Sequence, residues 1–429
     1  MGVIAATFLV LLFSGVPIAF VLGIAGAAHV LSGDGAALSI VPQRIFAGLD
    51  QFVLMSIPFF ILAGFLMNEA KLTARLIQFA DHLVGRWRGG LAQVTVLTSM
   101  FFGGITGAAT ADAAAVGSIL IPVMIQQGYR RDFAAAVTIS ASLAGPLIPP
   151  SIPMLVYGIS SGTSIGALFL AGATPGVAVG IGMLILNRWI LRKRPLDRPL
   201  ETGGNAAERI RGFLLSLRTA LLALAMPLLI VGGVVGGVFT PTESSVAAVL
   251  YAMAVGLMMR TLGMATLWRL IIEAAIVSAT VMLIVASANL LGWVLAFEQV
   301  PQIVAAAFLA LTSSPSVFLI LVMVLLLLVG LFLETSGSII ILTPVLWPAA
   351  QAYGFDPIHF GVVMVFGLVI GLLTPPVGLC LFIGCSIANL KLHELSRAVV
   401  PYIVLLIIIY AVFVFVPAAS LWLPRLLGF

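Results

Sequence analysis

Twice in this chain a pair of adjacent prolines interrupts an apolar run that would otherwise read as a buried helix. The two stretches are "SLAGPLIPPSIPM" at 142–154 and "GLLTPPVGLCLF" at 371–382. Proline has no backbone N–H and collides with the preceding turn, so a continuous helix cannot pass either pair. The surroundings are membrane-like: runs such as 2–31, 166–190 and 400–422 reach the ~20 apolar residues that span a bilayer. Only 8% of the residues are charged and 62% are hydrophobic, against about a quarter charged in soluble domains. The chain therefore reads as an all-α polytopic membrane protein. Irregular backbone at membrane depth persists only where protein buries it or where it lines a watery cavity. The two breaks thus point to a site, with packing kinks as the plainer alternative.

Lys and Arg gather at 71–88, 130–131, 188–218, 260–269 and 391–397, which the positive-inside rule assigns to the cytoplasm. Run 2–31 lacks a charged leader and exceeds signal-peptide length, so it reads as a retained span. Segment 32–51, with Asp34, Arg44 and Asp50, then lies outside, and 52–69 returns. Region 90–126 begins and ends inside, as a re-entrant hairpin does, and 133–158 and 166–190 cross out and back. The polar, Pro- and Gly-containing stretch 192–212 reads as a cytoplasmic linker between halves 1–191 and 213–429. Spans 213–239, 245–259 and 270–297 go out, in and out. Region 314–350 is a hairpin entered from outside, 359–383 comes in, and 400–422 goes out. Of the 20 basic residues, 18 then lie inside, with Arg44 and Arg425 outside.

Both halves run hairpin, acidic residue, glycine-containing loop, broken span. "ADAAAVGSILIPVM" (111–124) aligns with "LETSGSIIILTPVL" (333–346), with Asp112 ten residues before Pro122 and Glu334 ten before Pro344. Hairpins entering from opposite faces make an inverted repeat, a device of secondary transporters whose broken helices offer free carbonyls and amides to ions and anions. The tips "GGITGAATAD" (103–112) and "LETSGS" (333–338) are small and hydroxylic, and hard cations such as sodium take oxygen ligands. Candidate sodium ligands are the hydroxyls of Thr106, Thr335, Ser336 and Thr374, with backbone at Gly103, Gly145, Pro146, Gly337, Pro375 and Gly378. Gly145, Gly371 and Gly378 permit close backbone approach to a ligand. Thr110, Asp112, Pro149, Pro150, Ser151 and Glu334 are candidates for substrate or coupling roles. Intramembrane acids are expensive; these two can balance a cation, carry a proton or pair structurally, so sodium and proton coupling both stay open.

Lesser features have plainer readings. Glu243 in "FTPTESS" (239–245) reads as a helix cap, and amphipathic 72–84, with Arg75, Gln78 and Asp81 on its polar side, as an interfacial brace. "GGVVGG" (232–237) favours close helix packing. Cys380 and Cys385 supply no disulfide framework or metal cluster. "GISSG" (158–162) matches a hydrolase motif by chance, with no strand before it. No catalytic residue, nucleic-acid partner or metal other than sodium is expected.

Five stretches together carry a specific likeness: "SIPFFILAGFLM" (56–67), "GGITGAATADAAAVGSILIPVM" (103–124), "AGPLIPPSIPMLVYG" (144–158), "FTPTESSVAAVLYA" (239–252) and "GLLTPPVGLCLF" (371–382). The sequence closely resembles the large membrane subunit of tripartite ATP-independent periplasmic (TRAP) transporters along nearly its whole length. The resemblance implies a sodium-coupled secondary importer of an organic acid, of C4-dicarboxylate or sugar-acid type, in a bacterial inner membrane. It implies a periplasmic substrate-binding protein and a small four-helix membrane subunit, expected to be separately encoded because the sequence opens on the large subunit's first span. It implies the fold of the ion-transporter superfamily, similar to divalent-anion sodium symporters, with a scaffold and an elevator-like transport domain. Carried over, the sites fall at 103–112, 144–151, 334–338 and 371–378. The alternative is a stand-alone sodium/dicarboxylate symporter needing no binding protein.

Overall fold

A computed structural model describes residues 2–32, 38–192 and 206–429, by backbone alone over 206–210. Asp34 and residues 193–205 of the linker read at 192–212 lie outside the described residues. Every regular element described is helical. The first half comprises α1 (Gly2–Phe13), α2 (Ile18–Ser32), α3 (Ile40–Leu49), α4 (Ser56–Glu69), α5 (Leu72–Val84), α6 (Gly90–Thr106), α7 (Ala109–Gln126), α8 (Arg131–Ala141), α9 (Ile152–Ser161) and α10 (Ile165–Ile190). The second comprises α11 (Ala206–Val235), α12 (Pro241–Met258), α13 (Met264–Phe297), α14 (Val300–Leu311), α15 (Pro315–Gly330), α16 (Thr335–Ala352), α17 (Pro357–Gly371), α18 (Leu379–Ala388), α19 (Leu392–Phe415) and α20 (Pro417–Leu426). Seven described helical stretches are long and apolar enough to cross a membrane.

Run 2–31 is not one span. Gly15 adopts φ 77° and donates to the Leu12 carbonyl at 3.1 Å, while Val16 donates to Leu11 at 3.2 Å. This glycine cap ends α1, Pro17 precedes α2, and α2 packs back along α1. Run 400–422 is likewise divided, because α19 stops at Phe415 and Pro417 opens α20. Helices α3 and α14 fall in segments 32–51 and 298–313, between the expected spans. Helix α5 has the expected bounds, but Asp81 is buried, since α6 and α11 cover both sides of the helix. At α12 the cap itself is Thr240, and Glu243 is its reciprocal partner: Glu243 accepts from the Thr240 N–H at 2.8 Å, and Thr240 Oγ1 accepts from the Glu243 N–H at 3.3 Å.

Contacts between the halves come in exchanged pairs. Helix α2 packs on α13 as α12 does on α4; α7 on α18 as α16 on α9; α8 on α19 as α17 on α10. The turns α4–α5 and α13–α14 each pivot on one left-handed non-glycine residue, Lys71 (φ 56°) and Gln299 (φ 55°).

Helix ends set the register between the halves. The N-caps Ala108 and Glu334, the left-handed Gly128 and Gly354, and the N-caps Arg130 and Asp356 are each 226 residues apart. So are the paired prolines, whose Pro149–Pro150 and Pro375–Pro376 bonds are both cis. In this register Asp112 lies opposite Ser338, and Glu334 opposite Ala108. Aligning Asp112 with Glu334 is therefore one helical turn out of step. The cause is a second proline inside α16: Pro348, not Pro344, answers Pro122 in α7.

Candidate functional site

Each helix pair, α6–α7 and α15–α16, ends in a short tip that lies against a break in the following helix. In the first, α6 closes on Gly107, left-handed at φ 63° and bonded to the Gly103 carbonyl at 2.9 Å. A non-glycine residue is disfavoured there twice over, by φ and by space: a methyl on Gly107 would lie 2.3 Å from the Pro150 carbonyl oxygen. Gly103 faces Gly145 so closely that a methyl on it would lie 2.4 Å from the Gly145 Cα.

The break itself follows α8. A 3-10 turn, Ser142–Ala144, leads into Gly145. Pro146, Pro149 and Pro150 then bring three nitrogens without N–H, so the carbonyls four residues earlier, at Ser142, Gly145 and Pro146, lose their helical donors. Two find substitutes: Ser142 accepts from the Gly145 N–H at 3.1 Å, and Pro146 from the Ser151 hydroxyl. Ser151 also caps α9, accepting from the Met154 N–H at 3.2 Å.

Asp112 stands in the first turn of α7, fully buried. Thr106 Oγ1 donates to Oδ1 at a long 3.3 Å, and Oδ2 has no partner. Methyl positions on Gly145 and Gly103 lie 3.0 and 3.3 Å from that oxygen, so it points into the tip–break contact. Among the described residues no Lys, Arg or His lies within ion-pair distance of it.

The second junction is built alike with different chemistry. Gly330 meets Gly371, where a methyl would lie 2.4 Å from the Gly330 Cα. The Gly378 N–H reaches from the break to the Leu331 carbonyl at 3.4 Å, and Cys380 N–H bonds back to Leu372 at 3.0 Å. Thr374 Oγ1 donates to the Ile370 carbonyl at 2.9 Å. Glu334 is exposed and caps α16, accepting from Gly337 N–H at 3.1 Å and Ser336 Oγ at 3.2 Å. Thr335 is buried, and its hydroxyl has no partner. The junctions meet through α18, which leaves the second break and packs on α7 and α8 of the first.

The candidates thus divide. Gly103, Thr106, Asp112, Gly145, Pro146, Pro149, Pro150 and Ser151 converge on the first junction. Thr335, Ser336, Gly337, Thr374, Pro375, Gly378 and Glu334 belong to the second. Thr110, half-buried on α7, has no side-chain hydrogen bond among the described residues.

Residues 5–419 match the family model described as "Tripartite ATP-independent periplasmic transporter, DctM component". The chain belongs to the DctM family. It is 38% identical to the sialic acid TRAP transporter large permease protein SiaM of Vibrio cholerae, over 97% of this chain and 96% of that protein. It is also 38% identical to the isethionate TRAP transporter permease protein DctMQ of Oleidesulfovibrio alaskensis, over 97% of this chain but only 65% of that longer protein. The YdaH transporter of Alcanivorax borkumensis shares the fold alone: TM-score 0.64 and 17% identity, over 98% of this chain and 99% of that one. This DctM chain is accordingly a multi-pass membrane transporter component.

Gly107, Gly330 and Cys380 are junction residues that were not named individually as site candidates. Gly107 follows a helix end and carried a readable glycine-cap signal. Gly330 and Cys380 are marked only by the helices that meet them.

Proposed function

We propose that this chain is the membrane-spanning large subunit of a sodium-coupled importer of organic acids. It would receive its cargo from a periplasmic binding protein and work beside a small four-helix subunit in a bacterial inner membrane. The observation that carries the reading is Asp112: a buried carboxylate with a vacant oxygen, aimed at a contact of helix ends. An ionised buried acid needs a counter-charge and oxygen-rich company. The C-terminal carbonyls of α6 and α8 supply the company, and sodium supplies the charge. The N-termini of α7, α9, α16 and α18 meet at the same junctions, and their amides suit an anionic cargo.

Re-entrance and inversion are supported by depth. The break at 145–151 falls mid-way along Arg131–Ser161, and the α6–α7 tip abuts it, so that tip ends at mid-depth. The exchanged pairing of helices between the halves suits an inverted repeat, with α2, α4, α12 and α13 as scaffold and the hairpins and broken helices as the elevator. Thr335 fits a second ion position, having a buried and unengaged hydroxyl. Thr374 also fits: its proton goes to the Ile370 carbonyl, which leaves the lone pairs of the oxygen for a cation.

The test is uptake into proteoliposomes holding this chain and its small subunit, with and without an inward sodium gradient and the binding protein. Uptake that needs both supports the reading; uptake indifferent to sodium removes the coupling, and uptake without the binding protein favours a stand-alone symporter. Thr335→Val and Thr374→Val are each expected to raise the half-saturating sodium concentration about tenfold, the cost of one hydrogen-bonding ligand. Unchanged sodium titrations in both would remove these hydroxyls from the ion sites.

A further inference from the structure

Arg44, one of two basic residues left outside by the charge count, lines a cleft of about 340 Å³ where α3 and the residues after it face α13, α9 and α16. That volume suits a small ligand. Its polar lining is Arg44, Gln51, Ser160 and Asn289, with Trp293 and Pro344 among the apolar walls. The Arg44 guanidinium lies 5.1 Å from the Trp293 ring centroid. Stacking holds the charge in place while leaving its N–H groups free. Among the described residues, no carboxylate lies within ion-pair distance of Arg44, and the side chains of Arg44, Gln51 and Asn289 have no hydrogen-bond partner. One wall is fixed, since a methyl on Gly48 of α3 would lie 2.5 Å from Asn289 Cβ on α13. The other wall consists of α9 and α16, the helices that leave the first break and the second tip.

We propose that this cleft is an organic-anion site in which Arg44 receives the carboxylate or sulfonate and the Gln51 and Asn289 amides donate beside it. A planar guanidinium pre-set on an aromatic ring matches two anionic oxygens in one plane. The inference rests on the organic-acid reading above and gives it a position: a holding site between scaffold and moving helices, apart from the ion junctions.

The experiment uses the purified complex of this chain with its small subunit, without binding protein. Binding of N-acetylneuraminate, succinate and isethionate is measured by calorimetry for wild type, Arg44→Gln, Arg44→Lys and Trp293→Phe. Wild type is expected to bind at least one of them. Arg44→Gln is expected to weaken that binding about tenfold or more, the loss of a charged hydrogen-bonding pair, with Arg44→Lys between the two. Trp293→Phe, which keeps the charge and loosens its placement, is expected to cost about two- to fivefold. Thermal unfolding of all variants is expected to match wild type. In uptake assays Arg44→Gln raises KM with the maximal rate little changed. Wild-type affinity in Arg44→Gln, or wild type binding none of the three acids, overturns the site. Unchanged affinity for the free acid together with a higher half-saturating concentration of binding protein also overturns it, and makes Arg44 a docking residue. Wild type importing no organic acid removes the functional reading, whereas import with an Arg44→Gln variant of unaltered affinity removes this inference alone.

Discussion

Gly371→Ala is expected to abolish import and to lower the melting temperature of the purified protein. The added methyl would lie 2.4 Å from both the Cα and the carbonyl carbon of Gly330 and 2.7 Å from its oxygen. All three are backbone atoms, so no rotamer change relieves the clash; α15 and α17 have to separate. Overpacking of this kind costs about 1–3 kcal/mol. Spent on the geometry of an ion site, the same energy is about a ten- to hundredfold loss of sodium affinity. Gly103→Ala is expected to behave likewise at the first junction, where its methyl would lie 2.4 Å from the Gly145 Cα. Gly232→Ala is the matched control: it stands within α11 with nothing inside 4 Å of a new methyl, and alanine there is expected to stabilise by about 0.5–1 kcal/mol. Fluorescence-monitored unfolding with and without sodium, beside proteoliposome uptake, measures both consequences. A Gly371→Ala protein with wild-type melting temperature and sodium response would show that the Gly330–Gly371 approach does not shape the site.

The paired prolines made the breaks legible, because a missing N–H is a property of the residue and not of its neighbours. Ser151 and Asp112 were likewise visible as polar residues in apolar surroundings. The acid alignment failed for a local reason: α16 carries two internal prolines, and counting back from the nearer one shifts Glu334 by a turn. Glu334 also caps α16, and a cap is recognised only once the helix start is known. The turn at Ser14–Pro17 did have a signal in Gly15 and Pro17, but it was outweighed by the apolar run around it. Gly330 and the Arg44 cleft depend on segments far apart in the chain, so no local pattern announces them. Arg44 in particular registered only as an exception to the charge count, whereas stacked on Trp293 it has a definite setting.

Asp112→Asn separates the two ways of neutralising a buried acid. The substitution keeps the size of the side chain and leaves Thr106 a carbonyl oxygen to bond. Without sodium, the variant is expected to be the more stable protein, because it no longer buries an ionisable group with an unpartnered oxygen. Adding sodium is expected to reverse the order. An ion that binds only the folded state stabilises it by about 2.7 kcal/mol at a hundred times its Kd, and wild type gains this while Asp112→Asn does not. Uptake by the variant is expected to fall more than about tenfold, since one lost charge contact of 1.4 kcal/mol or more has that effect on binding. The readout is melting temperature against sodium, with choline holding the ionic strength constant. Equal sodium stabilisation of both proteins would place the cation away from Asp112. If sodium leaves wild type unmoved while acidification stabilises it and not the variant, a proton neutralises the carboxylate, and the coupling ion at the first junction is then H⁺ in place of sodium.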